Sequence, residues 1–187
     1  HFSMQKQLKL VTLLILVGGL LVIFSNSTFR MPGNQQNYEP IQPIDFSHRL
    51  HAGEMEVPCQ YCHYGASQSR HAGIPATNVC MNCHKYVSAT RDDLRLEEEQ
   101  ASVEGRDMKP LTSLEIIKIY SAMGYDPQGN PVEGKAGKSV EWVKVHNIPD
   151  FVFFSHKPHI TAGVDCADCH GDVSSMERIK QTEDLSM

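Results

Sequence analysis

The chain has 187 residues, with 17 lysines and arginines against 22 aspartates and glutamates, and its formal net charge is -5. This balance excludes a nucleic-acid-binding protein that works by bulk positive charge. Hydrophobic residues make up 41% of the chain, which is typical of folded domains and excludes general disorder. Six cysteines and ten histidines are many for this length, so we looked first at how they are spaced.

The amino-terminal segment predicts a membrane anchor over residues 1–28. Lys6 and Lys9 precede an apolar run, residues 10–24, in which Thr12 is the one polar residue. At about 1.5 Å per residue this run spans only about 22 Å, so flanking residues must contribute if it crosses a bilayer. A cleaved secretory signal is the alternative, with Ser25-Asn26-Ser27 as a cleavage site. We favour a single-pass anchor in the inner membrane, with its lysine-bearing end cytoplasmic and the rest on the periplasmic side.

Residues 29–43 contain Pro32, Gly33, Pro40 and Pro43 among asparagines and glutamines, a composition typical of an extended linker. The remaining residues, 44–187, are then predicted to form one domain. Because this domain holds all six cysteines and nine of the ten histidines, its chemistry should lie there.

The cysteines occur in three motifs of the form C-x-x-C-H: Cys59-Gln-Tyr-Cys62-His63, Cys80-Met-Asn-Cys83-His84 and Cys166-Ala-Asp-Cys169-His170. This spacing is typical of covalent haem attachment, in which two thiols bond one haem and the adjacent imidazole binds its iron. We therefore predict at least three molecules of haem c. Structural zinc and a disulfide framework are the alternatives. Neither needs a histidine after every pair, and a disulfide across two residues closes too small a loop to stabilise much.

A second pattern precedes two of the motifs and predicts the other axial ligands. Phe46-Ser47-His48-Arg49-Leu50-His51 recurs as Phe154-Ser155-His156-Lys157-Pro158-His159. We call residues 46–63 the first unit and residues 154–170 the second unit. Two histidines three positions apart on a helical turn are displaced along its axis, so they suit two irons better than one. The predicted distal ligands are His48, His51, His156 and His159, with His71 and His146 as further candidates.

Between the second and third motifs the sequence predicts ordinary structure. Residues 91–104 are highly charged and predict a solvated helix. Thr112 and Glu115 form a predicted capping box for a short amphipathic helix that Gly124 stops, and residues 125–139 predict a loop. The predicted fold class is therefore mainly α and irregular, with little β structure and with haems replacing much of a hydrophobic core.

Coordination predicts the function. An iron with two protein ligands has no vacant position, so it exchanges electrons and does not readily bind substrate. We therefore expect an electron-transfer subunit that is not an enzyme on its own. A multihaem reductase with one open haem is the alternative from another class.

The FxHxxH-then-CxxCH pattern resembles the class III and c7-like multihaem cytochromes. Residues 44–187 also resemble the pentahaem cytochrome subunits of alternative complex III, through the segments 48–53, 71–75, 80–84, 142–146 and 149–154. This resemblance implies a subunit of a membrane-bound, quinol-oxidising respiratory complex that relays electrons toward a cytochrome or terminal oxidase. The implied partners are the other subunits, membrane lipid and that redox partner, with no nucleic acid.

The chain departs from this family pattern because the family carries five haems and only three attachment motifs are present. We therefore expect the natural protein to continue past Met187, with some distal histidines serving haems attached there. The small membrane-anchored quinol dehydrogenases, with one helix and four haems, share the topology and provide another alternative, a stand-alone quinol dehydrogenase cytochrome.

Overall fold

The structure is a computed structural model that describes residues 4–25, 35–148 and 151–185. Over these ranges it is helical and irregular, and its one β pairing is an isolated antiparallel bridge between Tyr125 and Pro131. This confirms the predicted fold class. The α-helices are α1 (Met4–Ser25), α2 (Cys59–Cys62), α3 (Thr77–His84), α4 (Arg91–Glu104), α5 (Leu114–Ala122), α6 (His156–Thr161) and α7 (Ala167–His170). A π-helix (Arg49–Glu54) and two 3-10 helices (Tyr64–Ser67 and Val173–Ser175) complete the set.

Helix α1 is apolar and exposed along its length. Its stretch Lys6–Ser25 has a mean hydropathy of 2.5 and none of it is buried. At about 1.5 Å per residue the whole helix is about 33 Å long, so it is longer than the apolar run alone. By length and composition it is able to cross a membrane, and a signal sequence has the same properties. Asn26 and Ser27 of the possible cleavage site, and residues 29–34 of the predicted linker, lie outside the described residues.

The rest of the predicted linker is attached to the domain. Gln42 is buried, and its side-chain amide exchanges two hydrogen bonds with the backbone of Val143, at 2.9 and 3.0 Å. The backbone N–H of Asn37 donates to the carbonyl of Gln181 at 2.7 Å, and that of Gln181 donates to the carbonyl of Tyr38. Residues 37–42 therefore pack against the domain in a way that their composition did not predict.

The small apolar core lies between the start of the domain and α5. It consists of Ile44, Ile116, Ile119 and Tyr120, with Cys80 and Met81 packed against it. The periodicity of α5 explains this packing, because its buried residues recur three and four positions apart. The predicted helix is confirmed, but the cap is not Thr112. Its N-cap is Ser113, whose hydroxyl accepts from the N–H of Ile116.

Helix α4 begins and ends where the charged stretch predicts. The hydroxyl of Thr90 caps its first turn, and Gly105, with φ of +64°, ends it in the left-handed region. Most of the helix is exposed, as predicted, but Glu97 is buried. Its carboxylate accepts from the Arg106 guanidinium at 2.5 and 3.3 Å and from the backbone N–H of Lys109 at 2.8 Å. The charged pattern did not predict this inward-facing ion pair.

Short helices that belong to different parts of the chain pack together around the motifs. The π-helix packs on the 3-10 helix Val173–Ser175, where a Cβ on Gly53 would collide with the carbonyl oxygen of Ser174. Only glycine permits this approach. Helix α6 packs on the 3-10 helix Tyr64–Ser67. These two contacts bring the first and second units together.

Candidate haem-binding sites

Each C-x-x-C-H motif lies on a single helical turn. In the first, Pro58 precedes α2, and the N–H of His63 donates to the carbonyl of Cys59 at 2.9 Å. In the third, the N–H of His170 donates to the carbonyl of Cys166 at 3.0 Å. The second motif forms the last turn of α3. Residues three positions apart on such a turn share one face, so both thiols of each motif are directed to the same side.

The apolar core supports the second motif. Cys80 and Met81 pack against the core residues, and the phenol of Tyr120 donates to the backbone carbonyl of His84 at 2.7 Å. The first motif lies close to it, because the side chain of Asn82 donates to the phenol oxygen of Tyr61 at 2.9 Å. Tyr61 and Asn82 are variable positions inside the two motifs, and no sequence signal predicted their contact.

All six cysteines are free thiols. Burial raises the pKa of the Cys62, Cys80 and Cys166 thiols above the ordinary value, and neighbouring thiols raise it further. For Cys62 these neighbours are Cys83 and Cys59, and for Cys80 the neighbour is Cys62. Burial and neighbouring thiols therefore act in the same direction on one cysteine of each motif.

Five imidazoles share one hydrogen-bonding pattern that leaves the same ring nitrogen for another ligand. In each, Nδ1 lies 2.6–2.9 Å from a backbone carbonyl oxygen. Since a carbonyl only accepts, Nδ1 carries a proton, and it is Nε2 that holds the lone pair whenever the ring is neutral. Metal-ligating histidines usually have such a second-shell partner. The pairs are His51 with Ser47, His63 with Gly73, His84 with Val87, His156 with Arg70 and His159 with Ser155.

Two predicted distal histidines lie opposite motif histidines. The ring centres of His51 and His84 are 6.1 Å apart, and those of His156 and His170 are 6.4 Å apart with ring planes only 9° from parallel. With metal–nitrogen bonds of about 2 Å, two imidazoles on opposite sides of one metal have ring centres roughly 6 Å apart. The second and third motifs thus each have an imidazole at the separation that a six-coordinate iron requires.

The two remaining half-buried distal candidates have ring nitrogens without a partner. Nδ1 of His48 and Nε2 of His146 are buried and make no hydrogen bond. Burial lowers the pKa of each to about 4, helped by His63 next to His48 and by His170 next to His146. The ring of His146 meets that of His170 edge-on at 4.4 Å. Both imidazoles are therefore neutral at neutral pH, which is the form that binds a metal.

The structure leaves His71 and His159 exposed. Within the described residues, the His71 imidazole shows neither the carbonyl bond nor the ring contacts of the other candidates. His159 has its carbonyl partner and stacks on Phe154 at 4.9 Å, but no motif histidine faces it among the described residues. The sequence therefore predicted His71 and His159 as distal ligands, but neither has a motif histidine facing it among the described residues.

The donor set fits haem c. Each motif contributes two thiols and an imidazole, two of the motifs have a second imidazole across from the first, and the unpartnered ring nitrogens lie beside them. Among the described residues no three His, Cys, Asp or Glu side chains are arranged to hold a metal ion by themselves. A porphyrin would supply the remaining donors.

The chain is similar to the multihaem cytochrome c subunit of a menaquinone reductase from Nitratidesulfovibrio vulgaris, with 30% identity over 129 residues. The match covers 69% of this chain and 45% of that protein, so the chain spans less than half the length of its relative. No protein-family model matches. The similarity supports a multihaem cytochrome family, without singling out the alternative complex III subunit.

Proposed function

We propose that this chain is a membrane-anchored multihaem c-type cytochrome that relays electrons within a quinol-oxidising respiratory complex toward a cytochrome or terminal oxidase. The observation that carries the proposal is the pair of histidine separations, 6.1 Å for His51–His84 and 6.4 Å for His156–His170. Each pair joins a motif histidine to a histidine that the FxHxxH pattern singled out.

Haem c supplies one-electron exchange at its iron when bound. The protein's part is to hold the two imidazoles. The carbonyls of Ser47 and Val87 fix the rings of His51 and His84, and the carbonyl of Arg70 fixes that of His156. These rings would be the two protein ligands of the iron and would leave no position for substrate. The proposal therefore assigns electron transfer, and no catalysis, to the chain itself.

The internal repeat extends the assignment to the first motif. In the second unit the first histidine, His156, faces that unit's own motif histidine, His170. The equivalent residue of the first unit, His48, is half-buried beside His63, so we assign it to the first motif. The second histidine of the first unit, His51, faces a motif outside its unit. By the same rule His159 is left for an iron that none of the three motifs supplies.

His146 and His71 are the remaining predicted ligands. His146 lies edge-on to His170, on the same motif histidine that His156 faces. The ring centres of His156 and His170 are 6.4 Å apart, which leaves room for an iron between them, whereas the 4.4 Å between His146 and His170 does not. We therefore assign to His156 the part of holding that iron together with His170. His146 and His71 are then second candidates, for the third motif and for an iron outside the three motifs respectively.

The proposal also includes a membrane location and a complex with other subunits. Helix α1 supplies an anchor, and covalent haem attachment requires export, so the domain would lie on the periplasmic side. The relative is a subunit of a menaquinone reductase, which supports the presence of other subunits as partners. An assembly like alternative complex III combines these features.

Intact mass and electron paramagnetic resonance (EPR) test the function together. We expect the 187-residue protein to carry three covalent haems that survive denaturation, and its oxidised spectrum to contain low-spin signals only. Colourless protein after acid-acetone extraction would overturn the haem assignment. A high-spin signal with nitrite turnover would favour the reductase alternative, and direct reduction of the isolated cytochrome by a quinol analogue would favour the stand-alone quinol dehydrogenase.

A further inference from the structure

The first motif touches the second directly. The side-chain amide of Asn82 donates to the phenol oxygen of Tyr61 at 2.9 Å. Both residues lie between the two cysteines of their own motif, so the bond joins the attachment turns themselves. The thiol of Cys62 is also an electrostatic neighbour of the thiols of Cys80 and Cys83.

The first motif also touches the third, by different contacts. Helix α6, which carries His156, packs on the 3-10 helix that follows His63. The backbone N–H and the Nδ1 of His156 lie 3.4 and 2.9 Å from the carbonyl oxygen of Arg70, in the loop after the first motif. The thiol of Cys59, from the first motif, is an electrostatic neighbour of the thiol of Cys166, from the third.

The second and third sites are linked less directly, through the π-helix that carries His51 and packs on the 3-10 helix Val173–Ser175, which follows the third motif. Within the described residues, no hydrogen bond, ion pair or ring contact joins the second site, made of α3 and His51, to the third site, made of α6, Cys166 and α7. The apolar core holds the second site on one side, whereas residues 161–169 of the third are exposed.

We propose that the three haem-attachment sites form a row in the order second, first, third, and that the Tyr61–Asn82 hydrogen bond sets the spacing between the first two. The order along the chain is therefore not the order in space. This inference rests on the proposed haem attachment. It makes Tyr61 and Asn82 positioning residues, since they act through the motif turns.

The test uses variants that silence one site at a time. Met in place of a distal His raises the potential of its haem. His51→Met at the second site, and His156→Met at the third, can each be poised so that the altered haem is ferrous and EPR-silent while the other two are ferric. The signal lost in each variant identifies its site, and the signal retained in both belongs to the first site.

We expect the first-site signal to change its spin relaxation in both variants, because it loses a paramagnetic neighbour each time. The spin relaxation of the second-site signal should not change when the third site is silenced, and that of the third-site signal should not change when the second site is silenced. A second-site signal that responds when the third site is silenced, or a first-site signal that responds in only one variant, would overturn the order. Absence of three haems by intact mass would instead defeat the proposed function, so the two failures are distinguishable.

If either methionine variant loses haem, a pair of conservative variants tests the role of Tyr61 in the coupling between the first and second sites. Tyr61→Phe removes the bond to Asn82 and keeps the ring, and Tyr64→Phe is the matched control on the exposed tyrosine of the next helical turn. With three haems retained by mass, Tyr61→Phe should change the coupling between the first and second sites and leave that between the first and third unchanged. No change, or an equal change in Tyr64→Phe, would refute the role of Tyr61.

Discussion

The first and second units contain nearly the same residues and build nearly the same ring geometry. Phe46 meets His48 edge-on at 4.9 Å and stacks on His51 at 4.3 Å, and Phe154 meets His156 and stacks on His159 at 4.9 Å in both cases. In both units the second histidine donates Nδ1–H to a serine carbonyl at 2.8 Å. The local sequence is thus sufficient to orient the two imidazoles around a phenylalanine.

The units differ in what surrounds them. His51 faces the second motif, whereas His159 is exposed and faces no motif histidine in the described part of the chain. The backbones differ too, with a π-helix at Arg49–Glu54 and an α-helix at His156–Thr161. The first unit has one more residue between its first histidine and its first cysteine, and a π-turn accommodates one extra residue in its hydrogen-bonded ring. Units with the same phenylalanine–histidine pattern therefore differ in what their second histidine faces because of their neighbours and their backbones.

The strongest test of this difference removes the cysteines of each unit in turn. Cys59→Ala with Cys62→Ala should cost a haem and destabilise the whole domain, since the first motif contacts both others. Cys166→Ala with Cys169→Ala should leave two haems and most of the far-ultraviolet circular dichroism, because the third motif is exposed. Intact mass and circular dichroism check both. Equal loss of structure in the two double variants would contradict the comparison.

Replacing the second histidine of each unit by methionine gives the next largest effect. His51→Met should shift one haem to a more positive midpoint potential, within the roughly 0.8 V range that axial ligands span. His159→Met in the 187-residue protein should leave all three potentials unchanged, because its imidazole faces none of the three motifs. Spectroscopic redox titration measures both. A shifted potential in the His159 variant would show that His159 serves one of the three irons.

A substitution outside both units separates stability from haem binding. The Arg106 hydrogen bonds, with the backbone N–H of Lys109, lower the pKa of Glu97 from 4.5 to about 2. Glu97→Gln should therefore lower the melting temperature at neutral pH and leave every haem signal unaltered. The ionised carboxylate stabilises the fold above its unfolded pKa, and this contribution is lost as the pH falls from about 4.5 toward 2. The melting-temperature difference between the two proteins should shrink over that window.

Thermal unfolding followed by circular dichroism at several pH values provides the measurement. Glu98→Gln, at an exposed position of the same helix, is the matched control and should have little effect at any pH. A Glu97 difference that persists unchanged at pH 2 would contradict the assigned ion pair.

The smallest expected effects come from the two stacked phenylalanines. Phe46→Leu removes the stacking on His51 and should lower the free energy of unfolding by about 0.5–1.5 kcal/mol beyond the change in buried area. Phe154→Leu should cost less, because its ring is farther from His159 and that part of the chain is more exposed. Chemical denaturation of both variants decides the ranking, and a larger loss for Phe154→Leu would reverse it.

Periodicity and spacing predicted the features that depend on neighbours along the chain. The fold class, α4 from its charge pattern and α5 from its apolar pattern are of this kind, because a helix and its caps are set by residues three or four positions apart. The capping residue was wrong by one position, since both Thr112 and Ser113 are able to cap and packing selected Ser113. The inward ion pair of Glu97 and the attachment of residues 37–42 depend on residues far along the chain, so no local pattern predicted them.

The chain's own sequence determined which residues are candidates for haem binding, namely three cysteine pairs with their histidines and a twice-used phenylalanine–histidine unit. Only the tertiary structure decided which imidazole faces which motif, that His71 has no facing partner among the described residues, and that the first motif lies between the other two. The spacing within each motif indicates which side chains are able to bind haem together, because a helical turn aligns side chains that are close along the chain. Pairing across the domain follows from how short helices pack, and that packing joins residues as distant as Arg70 and His156.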